Sequence, residues 1–195
     1  MMPLAATELP PRAAPRIAPQ PLTRFENWPL RLDQAIEAAR QRPFAWGTHD
    51  CCSFAAGVVQ ALTGHDAFAQ FTASFGVYTD ERGALRALAA ADGVAAIATA
   101  HLGDPIPVAQ ARRGDVVMVM MAAPSLDVAP EATLASAALM PASARVLTPD
   151  DDLPTRAPRP GRPSLAVCVG TRCVAPGPAG LVWLPLREAT CAWRV

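Results

Sequence analysis

Two adjacent cysteines, Cys51 and Cys52, follow Asp50 in the stretch AWGTHDCCSFAAGVVQAL. A thiolate is the reactive form of cysteine, and a helix N-terminus lowers a thiol pKa because its unpaired N–H groups favour negative charge. Asp50 is a typical helix N-cap, so we expect Cys51 in the first helical turn. Cys51 also shares the apolar stripe of Phe54 and Val58, whereas Cys52 is rotated by about 100°. Of the pair, Cys51 is therefore the candidate nucleophile.

A cysteine nucleophile needs a base within hydrogen-bond reach of its proton. The chain has only three histidines: His49, His65 and His101. The side chains of His49 and Cys51 diverge where the chain enters the helix. His65 follows the far end of that helix, about 20 Å away, and His101 ends a short predicted helix. The sequence leaves His49 as the alternative base, with His101 as a second.

Composition narrows the class of protein. There are 17 basic and 17 acidic residues, which disfavours a nucleic-acid or anionic-membrane partner, and no apolar run approaches the about 20 residues of a membrane span. No C-x-x-C or polyhistidine pattern suggests a metal site, and we predict no cofactor. The cysteine count of five is odd, so we expect free thiols, with Cys52, Cys168, Cys173 and Cys191 as small buried hydrophobic residues.

The elements that would position Cys51 follow a helices-then-strands order, typical of an α+β fold with an antiparallel sheet. We predict helices from Asn27, from Asp50 to Gly64, from about residue 79 to 93, and a short one ending at Gly103. Strands are expected in the stretches GDVVMVMM, SLAVCVG, RCVAPGP, LVWLPL and TCAWRV, arranged as a meander with a tight turn at Gly170-Thr171.

We predict one domain over residues 25–195, which is preceded by one low-complexity segment and interrupted by another. Residues 1–24 are proline-rich and are predicted to form an extended arm. Residues 122–163 are rich in alanine and proline and are predicted to be a long insertion between two strands. The first residues carry Glu8, two arginines and repeated prolines instead of an apolar core, so we expect no signal peptide and synthesis in a bacterial cytoplasm.

The segment PFAWGTHDCCSFAAGVV resembles the active-site segment of the NlpC-like cysteine peptidases, a papain-like group that cuts bacterial cell-wall peptides. The family pattern P-Y-x-W-G, followed by D-C-S-G-F/L at a helix start, is matched in order by Pro43, Trp46, Gly47, Asp50, Cys51 and Phe54. RRGDVVMV resembles the strand entry G-D-L-V through Gly114 and Asp115, and SLAVCVG resembles the strand H-V-G-I-Y-L-G that carries the catalytic histidine. The resemblance implies a papain-like NlpC-type fold.

The departures from that pattern affect the catalytic partners. Aligned on Gly170, the family histidine falls on Ser164, the residue that orients it falls near Ala175, and the family tyrosine is Phe44. A serine hydroxyl does not titrate near neutral pH, so it cannot take the thiol proton as imidazole would. The resemblance therefore implies a degenerate peptidase in which Cys51 is a vestigial nucleophile, and enzymatic activity is not expected.

NlpC-like domains occur as secreted cell-wall enzymes and as phage tail-tip components. The expectation is therefore a structural subunit of a phage or gene-transfer-agent tail tip or baseplate, located in the virion. Its arm at 1–24 and insertion at 122–163 would contact other tail-tip proteins, because segments of low intrinsic structure order on binding. The alternatives are an active cell-wall peptidase or amidase that uses Cys51 on peptidoglycan, and a host-encoded binding module.

Overall fold

The computed structural model describes residues 22–122 and 161–195. Five helices precede or flank a five-stranded antiparallel sheet, so the fold is α+β as expected. The helices are α1 (Trp28–Ala39), α2 (Cys51–Thr63), α3 (Ala67–Phe75), α4 (Glu81–Ala90) and α5 (Val94–Leu102). The strands are β1 (Val116–Met121), β2 (Arg162–Cys168), β3 (Arg172–Gly177), β4 (Gly180–Pro185) and β5 (Ala189–Trp193).

Local signals placed most helix ends correctly. The Asp50 side chain accepts from the Ser53 N–H, and Ser53 returns a bond to the Asp50 N–H, which forms a capping box at the start of α2. The helix ends at Gly64 in the left-handed conformation. The third predicted helix is shorter than expected: it is α4, and Asp80 is its N-cap. The nine-residue helix α3 was not predicted.

The strand order across the sheet is β4-β3-β2-β1-β5. The meander prediction is therefore right for β1 to β4, which lie side by side in chain order, and wrong for β5, which pairs with β1 at the opposite edge from β4. The two-residue turn Gly170-Thr171 joins β2 to β3 as predicted, and Gly170 has a φ of 114°. Pairing with β5 places the C-terminal strand beside the strand that begins after Asp115.

Helices pack on one face of the sheet. Phe54, Val58 and Leu62 of α2 pack against α1 and against Val167 and Val174 of the sheet. A second stripe of α2 side chains, formed by Cys52, Ala55 and Val59, packs against α5. The same side chains also pack against one residue each from β1, β2 and β5: Val116, Leu165 and Trp193. Helix α2 is thus the central helix, and its N-terminus lies over β2.

The opposite face of the sheet carries a separate buried cluster: Val117, Val119, Ala166, Cys168, Cys173, Ala175 and Ala192. Partly buried residues from the connections around the sheet, including Ile106 and Leu186, cover it. The sheet is therefore buried on both faces.

Arg24 anchors the entry of the chain into the domain. Its guanidinium pairs with the buried Asp115 carboxylate at 2.6 Å and donates to the carbonyls of Val195 and Arg113. Asp115 also accepts from the backbone N–H of Arg112 at 2.7 Å. The predicted arm therefore ends before Arg24, because that residue belongs to the packed domain.

The rest of the arm and most of the insertion lie outside the described residues. Arg162 and Pro163, which the predicted insertion included, belong to β2 and pair with Met121 and Met120. In the described ranges no single helix is long and apolar enough to cross a bilayer.

Candidate functional site

The loop before α2 presents Cys51 at the helix start. Asp50 accepts from the Gly47 N–H at 2.7 Å with one carboxylate oxygen and from the Ser53 N–H at 2.9 Å with the other. This double use of the carboxylate fixes the loop conformation and the first helical turn together. Cys51 is partly exposed there, whereas Cys52 is buried.

The two thiols contact each other, with the Cys51 and Cys52 sulfur atoms 4.0 Å apart. The hydrogen bond from Cys52 is the largest effect on Cys51 and lowers its pKa. The same bond, together with burial, raises the pKa of the Cys52 thiol well above its ordinary value. The direction of these two pKa shifts makes Cys51 the more acidic sulfur of the pair, with Cys52 as its donor.

Ser164 and Leu165 of β2 lie beside the Cys51 sulfur. The Leu165 backbone N–H and the Ser164 hydroxyl add to the lowering of the Cys51 pKa, after the larger effect of Cys52. The Ser164 hydroxyl itself donates to the Arg162 carbonyl at 3.5 Å. Ser164, the residue at the family histidine position in the resemblance, therefore lies near the cysteine in the structure.

Strand geometry explains why a backbone N–H is available there. The N–H and C=O of Cys168 bond to the β1 side, so the groups of Val167 and Leu165 point by alternation to the β3 side. Pairing with β3 begins only at Val167. On the N-terminal side of Val167, β2 is not paired with β3. The Leu165 N–H therefore has no partner on β3, and it is close enough to Cys51 to lower the pKa of its thiol.

Tyr78 is a site residue that sequence reasoning missed. It lies in the connection between α3 and α4, is 7% exposed, and faces the Asp50 carboxylate and both thiols. Burial, followed by the Asp50 charge, raises the pKa of its phenol, so it stays protonated and can donate. It is the single tyrosine of the chain, and no local pattern ties it to Cys51.

Gly47 and Trp46 position Tyr78. Gly47 has a φ of 73°, and a Cβ built on it would lie 2.0 Å from the Tyr78 carbonyl oxygen. Trp46 packs against the cluster that contains Tyr78, and Phe44 packs edge-on against Trp46 with ring centroids 4.7 Å apart. The W-G dipeptide thus has a packing role: it lets the Tyr78 backbone approach the loop before α2.

His49 does not reach the cysteine. It is 3% exposed and its ring packs edge-on against Phe54, with centroids 5.8 Å apart. Burial, then the nearby Arg42 charge, lowers its pKa. Among the residues that the structure describes, which include every histidine, no hydrogen bond joins an imidazole to Cys51.

His65 and His101 lie together, away from Cys51, with ring centroids 5.8 Å apart. Burial and the proximity of His65 lower the pKa of His101. A small apolar cavity between α2, α3 and α5 is lined by both Cys52 and His101. Neither histidine is placed to accept the Cys51 proton.

Ala175 is fully buried in the cluster on the sheet face that points away from α2. Its neighbour Val174 faces α2 and packs in the cluster with Phe54. The structure therefore does not bring Ala175 to the cysteine, and its neighbour Val174 is also aliphatic.

The site thus offers a stabilised thiolate surrounded by hydrogen-bond donors: the Cys52 thiol, the Ser164 hydroxyl and the Leu165 N–H. Tyr78 adds a phenol. Within residues 22–122 and 161–195, no imidazole is hydrogen-bonded to Cys51 to accept its proton near neutral pH. In the described part of the chain, no cluster of three or more metal-binding side chains occurs.

Comparison with known proteins assigns the chain to one family. The profile described as "Domain of unknown function (DUF6950)" matches residues 23–142, which include α1 to α5, β1 and the Cys51 loop. The chain belongs to the DUF6950 family. Searches of curated proteins and of solved structures found no match. The DUF6950 match begins one residue before Arg24, in agreement with the packing of Arg24 into the domain.

Proposed function

We propose that this DUF6950 chain is a degenerate NlpC-like, papain-like domain that serves as a structural subunit of a phage or gene-transfer-agent tail tip or baseplate. The observation that carries the proposal is the placement of Ser164 beside Cys51. This placement supports a domain that keeps the cysteine of the proposed family and carries a hydroxyl at the position proposed for its base.

The architecture is compatible with a papain-like origin. A helix presents the cysteine at its N-terminus, packs on an antiparallel sheet, and meets the strand that aligns with the histidine strand of the family. The Gly114-Asp115 entry to β1 keeps a structural role, because Asp115 holds Arg24 and the Val195 backbone N–H.

The chemistry argues for loss of hydrolysis. A cysteine peptidase transfers the thiol proton to a base and then gives it to the leaving amine. The donors around Cys51 stabilise a thiolate, but none of them shuttles a proton at neutral pH. Removing the base of a catalytic triad lowers the rate by several orders of magnitude.

In the proposed setting the domain binds neighbouring virion proteins. The equal numbers of acidic and basic residues favour protein contacts over nucleic acid or an anionic membrane. The proposed contact segments are residues 1–21 and 123–160, which join the described domain in sequence at Leu22, Ala122 and Gly161.

A genetic test separates a structural role from a catalytic one. Deleting the gene from the genome that encodes it should abolish complete particles, and a Cys51→Ala copy should restore them to the level of the unaltered gene. Particles that form normally without the gene would refute the structural role. Rescue by the unaltered gene but not by Cys51→Ala would refute a non-catalytic role.

The second candidate function is an active cell-wall peptidase or amidase. The lowered pKa of Cys51 favours it, because hydrogen bonds from Cys52, Leu165 and Ser164 activate the sulfur, and Tyr78 is a candidate proton donor for the leaving group. Purified protein should then cleave peptidoglycan stem peptides, and Cys51→Ala should abolish cleavage. We expect no cleavage from either protein.

A further inference from the structure

Cys168 and Cys173 occupy directly opposed positions on β2 and β3. Both are fully buried, both belong to the cluster on the sheet face away from α2, and both are free thiols. Directly opposed residues of antiparallel strands place their side chains on the same face. The two thiols are therefore neighbours across the hairpin.

The backbone pattern around this pair suits a cross-link. Cys168 directs its N–H to the Asp115 carbonyl and its C=O to the Gly114 N–H, both at 2.8 Å on the β1 side. The pair with Cys173 is therefore non-hydrogen-bonded, and the Cα atoms of such pairs are about 4.5 Å apart. Disulfides span Cα separations of about 4.4 to 6.8 Å, so the strands need not move apart or together.

In the reduced protein each thiol is held by a carbonyl. The Cys168 sulfur lies 3.5 Å from the Gly170 oxygen, and the Cys173 sulfur lies 3.8 Å from the Leu184 oxygen. Rotation about the two Cα–Cβ bonds turns the sulfurs from these carbonyls toward each other. The tight turn at Gly170-Thr171 keeps the strands in register during that change.

We propose that Cys168 and Cys173 form a cross-strand disulfide when the chain folds in the presence of a small-molecule disulfide. One cysteine thiolate attacks the oxidant, whose S–S bond breaks and releases one thiol. The second cysteine thiolate then attacks the mixed disulfide and releases the second thiol. Two cysteine thiols are oxidised, one disulfide molecule is reduced to two thiols, and the two protons leave with them.

Burial determines when the bond forms. Both sulfurs are inaccessible in the folded chain, and burial raises the pKa of Cys173 to about 11. Exchange therefore takes place during folding or when the hairpin opens. This inference does not depend on the proposed function, because it concerns the β2–β3 hairpin and not the Cys51 site.

Tryptic mapping tests the bond directly, because Arg172 lies between the two cysteines. The full chain is refolded with oxidised and reduced glutathione, its free thiols are alkylated, and it is digested without reductant. We expect the peptide that ends at Arg172 to stay joined to the peptide that begins at Cys173 and to separate on reduction. We also expect the oxidised protein to have a higher Tm than the reduced protein.

Matched variants distinguish this bond from other oxidation. Cys173→Ala should abolish the joined peptides and the Tm difference, whereas Cys191→Ala should preserve both. Recovery of Cys168 and Cys173 only as alkylated peptides would disprove the proposal. So would preferential pairing of either residue with Cys191, or a lower Tm in the oxidised protein.

Discussion

Ser164 of β2 lies close enough to Cys51, at the start of α2, to lower the pKa of its thiol. This contact links the N-terminus of α2 to β2, and it depends on the free β2 edge beyond Val167. A single substitution at residue 164 can therefore change the chemistry of the thiol without altering the scaffold that presents it.

Ser164→His should introduce an imidazole at the thiol. An adjacent imidazolium lowers a cysteine pKa, so we expect alkylation of Cys51 by iodoacetamide at pH 6 to accelerate by about tenfold or more. The rate is measured by mass spectrometry of the Cys51 peptide. Ser164→Ala is the control and should slow alkylation slightly, because it removes one donor. An unchanged rate in Ser164→His would contradict the assignment of residue 164 to the base position.

Cys52→Ala should make Cys51 less acidic. The hydrogen bond from Cys52 is the largest effect that lowers the Cys51 pKa, so its loss should move the alkylation profile of Cys51 to higher pH. The measurement is the alkylation rate as a function of pH. Cys191→Ala, which removes a thiol from β5, should leave the profile in place. A profile that moves to lower pH in Cys52→Ala would show that Cys52 does not act as the donor.

Gly47→Ala should destabilise the domain and displace Tyr78. The added Cβ would lie 2.0 Å from the Tyr78 carbonyl oxygen, and Gly47 has a φ of 73°, so we expect a loss of about 2 kcal/mol or more in the free energy of unfolding. Gly57→Ala is the matched control. Gly57 lies inside α2 with open space at its Cβ, so alanine there should stabilise by about 0.5–1 kcal/mol. Chemical denaturation compares the two, and equal effects would be inconsistent with the close approach.

Local signals in the sequence predicted much of the site. Asp50 was predicted as the N-cap of α2, and its capping box with Ser53 confirms that prediction. The resemblance, aligned on Gly170, predicts Ser164 at the family histidine position. Tyr78 could not be predicted, because its position depends on how the α3–α4 connection folds over Gly47. Asp66 as N-cap and Gly76 after the last residue were the signals for α3, which is short and mainly apolar.

Two other differences between the predicted and the observed fold also have long-range causes. The pairing of β5 with β1 depends on competition among strands for sheet edges, which hydrophobic patterns of single strands do not encode. Arg24 lies next to a proline-rich stretch, so composition assigned it to the arm. Its role depends on Asp115, which is distant in sequence and becomes its partner only in the folded chain.

Asp115→Ala should destabilise the fold strongly. Asp115 is 2% exposed and neutralises Arg24, whose guanidinium is itself mostly buried. Removing one partner of a buried ion pair leaves the other uncompensated, at about 3–5 kcal/mol. Asp33→Ala removes the carboxylate that pairs with Arg113 on the surface, where the expected loss is below about 1 kcal/mol. Urea denaturation measures both, and similar losses would argue against a structural role for the Arg24–Asp115 pair.

Acid should destabilise the domain partly through His49. Its pKa is lowered from the ordinary value of 6.5 by burial and then by Arg42. Near and below pH 6.5 the unfolded chain therefore binds a proton that the folded chain does not, so the free energy of unfolding falls as the pH falls through this range. His49→Phe keeps an aromatic ring against Phe54 and removes the titrating group. We expect a smaller loss of stability between pH 7.5 and 5.5 in this variant than in the natural chain, measured by urea denaturation at each pH. A slope as steep as that of the natural chain would mean that His49 does not titrate between the two states.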